Sequence, residues 1–366
     1  MDLQLNTEKV ITKSAVGVIR LWFNRFIIWL YTKLFTIALT IFGSLIGRSR
    51  MSHNNGIGAV GKVTIVDKPE FVLHPFFEAN RTFPCRIRHA AASFMDDAMR
   101  VVRSMSIKFA DTEFKSPFDL ELNTGKVALF WSVASFMRFA KYKKTKYGIQ
   151  YHQYYKNYPA GVRGAKSGMR RNPTSFDNLH YYSQTPLYYI GSDTVKRYAK
   201  YRVIPFDDVP ESGLLDKTDL SEPSENQRIL PGEQRTRNYL KEEYIKRVAK
   251  GPVKYRLQIQ LHTAADDDDK EIFNCCREWE EDNHPWMDLA VIEIEKTLSW
   301  KESCLMAFSL GNLPKGLGIL PSDSIYDYNS LNYMRRHSEL ARVTRVWSYK
   351  LFGVPPEIPD DDDRNK

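Results

Sequence analysis

The chain opens with a long apolar run and then changes its hydrophobic rhythm. From Ile27 to Gly47 the sequence IIWLYTKLFTIALTIFGSLIG is apolar apart from Lys33 and a few hydroxyl residues, and about 20 such residues are what a helix needs to cross a bilayer core. Trp22 and Trp29 lie toward one end while Arg48 and Arg50 mark the other, a layout suited to interfacial anchoring. Lys33 is the weak point, since held at mid-depth it costs roughly 2.5–3.5 kcal/mol unless it snorkels. The expectation is a retained transmembrane anchor; an amphipathic surface helix and an organellar presequence are the alternatives. A cleaved secretory signal would be shorter and end at a small-residue site. Lys9, Lys13, Arg20 and Arg25 precede the run and Arg48, Arg50 and Lys62 follow it, so the charge bias leaves its orientation open.

The segment SRMSHNNGIGAVG breaks any continuing helix with its glycines and polar residues. Alternation then takes over. Leu257, Ile259 and Leu261 fall on one side of Tyr255 to His262, with Arg256, Gln258, Gln260 and His262 on the other, which predicts a strand with one apolar face. Ala290, Ile292 and Ile294 alternate with Val291, Glu293 and Glu295 in a second such strand, and Tyr181 to Tyr189 and Arg197 to Val203 read as further strands. Leu240, Tyr244, Ile245 and Val248 recur at helical spacing before the stop signal Gly251-Pro252. Residues 207–235 are polar and aperiodic and predict a long surface loop. Strands with separate helices argue for an α+β fold. The organisation expected is an N-terminal flank over 1–26, an anchor over 27–47, a linker over 48–62, one globular domain over 63–352 and an acidic tail over 353–366.

At 366 residues, 43% hydrophobic and 13% aromatic, the chain can bury a large core, which excludes wholesale disorder. Cys85, Cys275, Cys276 and Cys304 lack zinc-ligand spacing, and the vicinal Cys275-Cys276 pair would close a disulfide only with strain. Reduced thiols in a reducing compartment are expected. The net charge of +9 fits nucleic acid, an anionic membrane surface or the flanks of an anchor. Lys141 to Arg171 mixes cations with tyrosines, but no nucleic-acid motif accompanies it; anionic headgroups or a partner subunit are the functional reading, and a solvated face is the bland one. The runs Asp266 to Asp269 and Asp360 to Asp363 lack calcium-loop spacing and read as solvated acidic segments. Neither a phosphate-cradling glycine loop nor a Gly-x-Ser-x-Gly elbow occurs.

Five stretches carry a family resemblance: RIRHAAASFMDDAMRVVRSMSIKFAD (86–111), LNTGKVALFW (122–131), FDNLHYYSQTPLYY (176–189), YLKEEYIKRVAKGPVKYRLQIQLH (239–262) and HPWMDLAVIEI (284–294). Taken in order, they resemble the allene oxide synthase branch of the catalase superfamily, the haem domain found fused to lipoxygenase in corals. The resemblance implies a catalase-like, eight-stranded antiparallel β-barrel with helical additions, b-type haem, and dehydration or rearrangement of fatty-acid hydroperoxides. It also implies a distal histidine in an R-x-x-H pattern, matched by Arg86-Ile-Arg-His89, where a base above the iron takes a proton from the hydroperoxide. Asn123, before Thr124, fits the distal asparagine, and Phe136 fits an aromatic near the haem edge. Arg103 and Arg86 fit haem-propionate partners, the reason being guanidinium–carboxylate pairing.

The proximal ligand implied is a tyrosinate four residues after an arginine whose charge helps keep it ionised. Through Asp327 to Arg335 the family register makes Arg335 that arginine and puts Glu339 at the ligand position. Arg345-Val-Trp-Ser-Tyr349 reproduces the R-x-x-x-Y spacing ten residues on, a shift of about 15 Å along a helix. Arg88, before His89, is a long cation where the family has Thr or Val. Two readings follow. One is a membrane-anchored haem enzyme with His89 and Asn123 catalytic, Arg345 and Tyr349 on the proximal side and a bilayer supplying the substrate. The other is a haem-free catalase-like accessory subunit of a membrane complex, with the mitochondrial inner membrane as a candidate location.

Overall fold

The computed structural model describes residues 15–92, 96–141, 157–216 and 229–357. Its first element, α1, runs from Ala15 to Ala38 and continues through a wide-turn segment, Leu39–Ile46, to Gly47. The helix therefore begins well before the expected anchor start at 27. Val16–Ile46, 31 residues containing an 18-residue window of mean hydropathy 1.7, is long and apolar enough to cross a membrane.

Eight antiparallel strands close into a barrel. They are β1 (Gly56–Ile65), β2 (Thr82–Ala91), β3 (Val101–Lys108), β4 (Asp119–Thr124), β6 (Tyr181–Tyr182), β8 (Lys196–Pro205), β9 (Val253–Thr263) and β10 (Met287–Thr297). Neighbours run β8-β6-β4-β3-β2-β1-β10-β9, and β9 pairs back onto β8 to close the ring. Closure leaves the barrel no unpaired edge. Two-residue β5 (Met169–Arg170) pairs with β3, while β7 (Leu187–Ile190) and β11 (Leu317–Gly318) extend the sheet from β8.

β1 starts at Gly56, inside the segment read as a linker. The run expected as one strand over 181–189 is two, β6 and β7. Gln184 between them adopts a left-handed φ of 61°, and Pro186 has no N–H to give a ladder. The strands expected at 197–203, 255–262 and 290–294 lie within β8, β9 and β10.

Strand alternation fills the barrel with Ile57, Ile87, Met105, Leu122, Leu257 and Ile292. Helix α4 (Tyr239–Lys250) contributes Leu240, Tyr244 and Val248 to the same core and stops at Gly251, as its spacing predicts. The remaining helices lie outside: α2 (Val133–Lys141), α3 (Pro159–Gly168), α5 (Trp300–Leu305), α6 (Ser330–Arg336) and α7 (Glu339–Phe352).

All four cysteines are buried free thiols. Of the acidic runs, Asp268 is not simply solvated: it accepts from the His262 ring at 2.9 Å and from the Ala265 N–H at 2.9 Å. Asp360 to Asp363 and the centre of the basic, tyrosine-rich stretch, 142–156, lie outside the described residues.

Candidate functional site

Adjacent residues on a strand face opposite ways, and on β2 this separates Arg88 from His89. Cys85, Ile87 and His89 point into the barrel, where His89 is wholly buried opposite Ile57. Its Nδ1 meets the Tyr181 hydroxyl at 3.1 Å and its Nε2 the Tyr255 hydroxyl at 3.2 Å. Phe176 stacks on the ring at 5.0 Å and Tyr244 meets it edge-on at 4.8 Å. A neutral imidazole has one donor and one acceptor, and the two hydroxyls use both. Burial depresses its pKa to about 3, so the ring is neutral. His89 thus knits the core, with both ring nitrogens engaged.

The outer face of β1 to β4 is a different surface. Register places Gly56, Ala90, Ser104 and Asn123 in one row across four strands, and Gly58, Arg88, Ser106 and Glu121 in the next. The first row is a shelf of small side chains ending at Asn123.

At the β1 end of the shelf stands His53. Its backbone is left-handed, φ 60°. Arg88 clamps it there, Nη1 donating to the His53 carbonyl and Nη2 to that of Asn54, both at 2.9 Å. Asn54 in turn accepts from the Arg50 N–H at 2.7 Å and donates to the Arg50 carbonyl at 2.9 Å. Ser52 Oγ sits 2.7 Å from His53 Nδ1, whereas Nε2 is buried with no hydrogen-bond partner. Burial first, then the Arg88 charge, lowers the His53 pKa to about 3. This histidine therefore presents a neutral imidazole with one open nitrogen.

Helix α7 supplies the opposite wall. Arg345 and Tyr349, one turn apart, both face inward; Tyr349 is 4% exposed and the Arg345 guanidinium carbon lies 5.2 Å from its ring centre. Arg345 donates to the carbonyls of Cys304 at 2.7 Å and Met306 at 3.1 Å. Arg50 donates to the same two, at 3.3 and 2.5 Å. The hydrogen bonds of Arg50 and Arg88 go to neutral carbonyls and those of Arg345 to carbonyls and the Tyr349 side chain, and burial plus repulsion from neighbouring arginines lowers the pKa of each, that of Arg88 to about 10. Arginine keeps its proton in proteins, so the site holds two buried cations, Arg88 and Arg345, and half-buried Arg50, all short of counter-charge. Tyr349 acts electrostatically on all three. Beside them Arg335 and Arg342 share Glu121, which they hold below its usual range although burial opposes it.

The expected residues divide accordingly. Asn123, Arg345, Tyr349 and Arg335 share this face, and so does Arg88, whose cation grips the His53 turn rather than intruding on an apolar wall. His89 is on the far side of the sheet from them. Arg86 makes a partly exposed ion pair with Asp111 at 2.7 Å. Arg103 is consumed by its own loop, donating to the carbonyls of Val101, Asp97 and Met99. Phe136 packs on Phe130 and, edge-on at 6.3 Å, on Phe35 of α1. Glu339 is exposed at the first position of α7, and the turn at His337 and Ser338 separates α6 from α7. No slide of a continuous helix is therefore needed to bring Tyr349 in. Sequence reasoning missed His53 and Arg50, although Arg50-Met-Ser-His53 repeats the R-x-x-H spacing found at 86–89.

No family model matches the chain. Over 315 residues it is 39% identical to an allene oxide synthase-lipoxygenase protein of Plexaura homomalla, covering 83% of this chain and 28% of that protein. It is 28% identical over 329 residues to a linolenate 9R-lipoxygenase of Nostoc sp., covering 85% and 40%. The chain thus spans well under half the length of these relatives. A bacterial catalase superposes with a TM-score of 0.61 at 15% identity, covering 81% of this chain and 59% of the catalase. A fungal catalase gives 0.59 at 16%, covering 87% and 68%. The chain is a catalase-fold protein, allene oxide synthase-like in sequence. In this catalase fold the small-residue shelf, His53 and α7 all lie on the outside of the barrel, and its interior holds the buried core with His89 among Phe176, Tyr181, Tyr244 and Tyr255.

Proposed function

We propose that this catalase-fold protein holds b-type haem between the β1–β4 shelf and α7 and uses it on fatty-acid hydroperoxides. The single observation that carries the reading is the juxtaposition of His53, whose Nε2 is buried and unpartnered, with Tyr349 and three cations that lack carboxylate partners. The residues fit the group. A haem would bring two carboxylates that Arg50, Arg88 and Arg345 could pair with, a flat face that could lie on the small residues Gly56, Ala90 and Ser104, and an iron that Tyr349 could ligate through its oxygen. Bound there, it would supply cleavage of the O–O bond.

The chain's own contribution is positioning and proton handling. His53, neutral above about pH 3, accepts a hydroperoxide proton at Nε2 and returns it to a departing oxygen, while Ser52 fixes the ring through Nδ1. Asn123, in the same row of the sheet as Gly56, donates its amide to a peroxide oxygen. Arg345 sets a cation against the Tyr349 ring.

An absorption spectrum of the full chain supplied with haem is the test. A Soret band is expected in wild type, lost or displaced in Tyr349→Phe and unchanged in Glu339→Gln. His53→Ala should keep the band and lose about 10²–10⁴-fold in hydroperoxide turnover, the usual worth of general acid–base catalysis. His89→Phe should keep both. Absence of any Soret band would reject the haem reading and return the chain to a haem-free catalase-like subunit.

A further inference from the structure

Helix α1 is inside out. Leu21, Ile28, Thr32, Thr36 and Ser44 form its buried stripe, so from residue 32 onward the side turned to the protein carries hydroxyls. The rest of its circumference presents Trp22, Phe23, Trp29, Phe42 and Ile46, between 49% and 73% exposed. A helix packed on a soluble domain shows the reverse pattern. Ser44 Oγ donates to the Ala341 carbonyl at 2.7 Å, while Thr32 and Thr36 donate back to the Ile28 and Thr32 carbonyls at 2.7 and 2.8 Å, the Thr36 hydroxyl also lying 3.4 Å from the His337 carbonyl. Arg25 pairs with Asp323 at 2.7 Å and Arg48 donates to the Phe352 carbonyl at 2.9 Å.

These contacts run from residue 25 to residue 48, about 35 Å of helix at 1.5 Å per residue, against about 30 Å of bilayer hydrocarbon. An upright span would carry Asp323, Arg336, His337 and Glu339 into the lipid core at several kcal/mol per charge. The other face of α7 continues the apolar surface: Trp347 and Leu351, 61% and 70% exposed, lie on the side of the helix away from Arg345 and Tyr349, and Phe352 at its end is 68% exposed. Val16–Ile46 contains no acidic residue, and Arg20 and Lys33 are exposed on it, cations complementary to anionic headgroups.

We infer that α1 and the outer face of α7 together form one monotopic membrane-binding surface, with α1 lying in the plane of an anionic bilayer rather than across it. The wall carrying Tyr349 is then a single helix away from lipid. That this proximity serves an apolar hydroperoxide rests on the proposed function; the placement of α1 does not.

The test is labelling of the full chain, carrying Val16→Cys and Met51→Cys together, in sealed vesicles of phosphatidylcholine and phosphatidylglycerol. The native thiols are buried, and wild type measures any background. With a membrane-impermeant maleimide, an in-plane helix gives molecules with both new thiols labelled or neither, whereas an upright span gives one label per molecule and overturns the proposal. A polarity-sensitive dye at Trp347→Cys should shift to the blue on vesicle binding. A shift already complete in lipid-free detergent, with a dimer's mass, would assign the surface to a second copy and also overturn it. Neither readout depends on haem or turnover, so failure here is separable from failure of the haem reading.

Discussion

His53 and His89 both belong to buried environments that keep them neutral to about pH 3, yet they have opposite uses. His89 has its nitrogens taken by Tyr181 and Tyr255; His53 has one taken by Ser52 and one open, with Arg88, Arg335, Arg50 and Glu121 acting on it. An unfolded chain protonates histidine near pH 6.5. Between that value and pH 3 the unfolded state binds more protons than the fold. The stability contributed by each histidine is therefore complete above about pH 6.5 and lost as the pH falls toward 3. Each group costs about 2 kcal/mol by pH 5, at about 1.4 kcal/mol per unit. Denaturant unfolding at pH 7 and pH 5 checks this: His89→Gln should lose about 2 kcal/mol less stability between the two than wild type does, and a loss equal to that of wild type would refute it.

Among the elements, a buried ion pair joins Lys108 at the end of β3 to Asp119 at the start of β4, and Asp119 also holds the segment after α5 by hydrogen bonds. Asp119 accepts from Lys108 at 3.0 Å, from the Ser309 N–H at 2.8 Å and from Asn312 at 2.9 Å, and both charged side chains are fully buried. That contact anchors the 304–312 strip whose carbonyls receive Arg50 and Arg345. Asp119→Ala strands the Lys108 cation and should destabilise the fold by about 3–5 kcal/mol, read from the unfolding midpoint. A loss below about 1 kcal/mol would show the strip to be held by other contacts. The strands β8, β9 and β10 and helix α4 were legible because alternation and helical spacing are local properties of the chain. The break between β6 and β7 was legible only in part: Pro186 is visible in the sequence, but the left-handed turn at Gln184 is set by its buried amide donating to the carbonyls of Gly125 and Val127.

Across the whole molecule, α1 joins the N-terminal region to α6 and α7 near the other end of the described chain. Ser44→Ala removes the hydroxyl donated to the Ala341 carbonyl and should cost about 1 kcal/mol, visible as a lower thermal midpoint in detergent; an unchanged midpoint would mean that this bond does not hold α1 down. The sequence by itself determined strands β8, β9 and β10, helix α4, the apolar first helix and the R-x-x-H and R-x-x-x-Y spacings at 86–89 and 345–349, because these depend on residue type and separation alone. Which of these residues face the shelf was decided only by the tertiary structure. Sheet register turns Arg88 outward and His89 inward, and the turn at His337 and Ser338 ends one helix so that a second can present Tyr349. Position on a face is a property of pairing between distant strands, and no local pattern around His53 or His89 contains it.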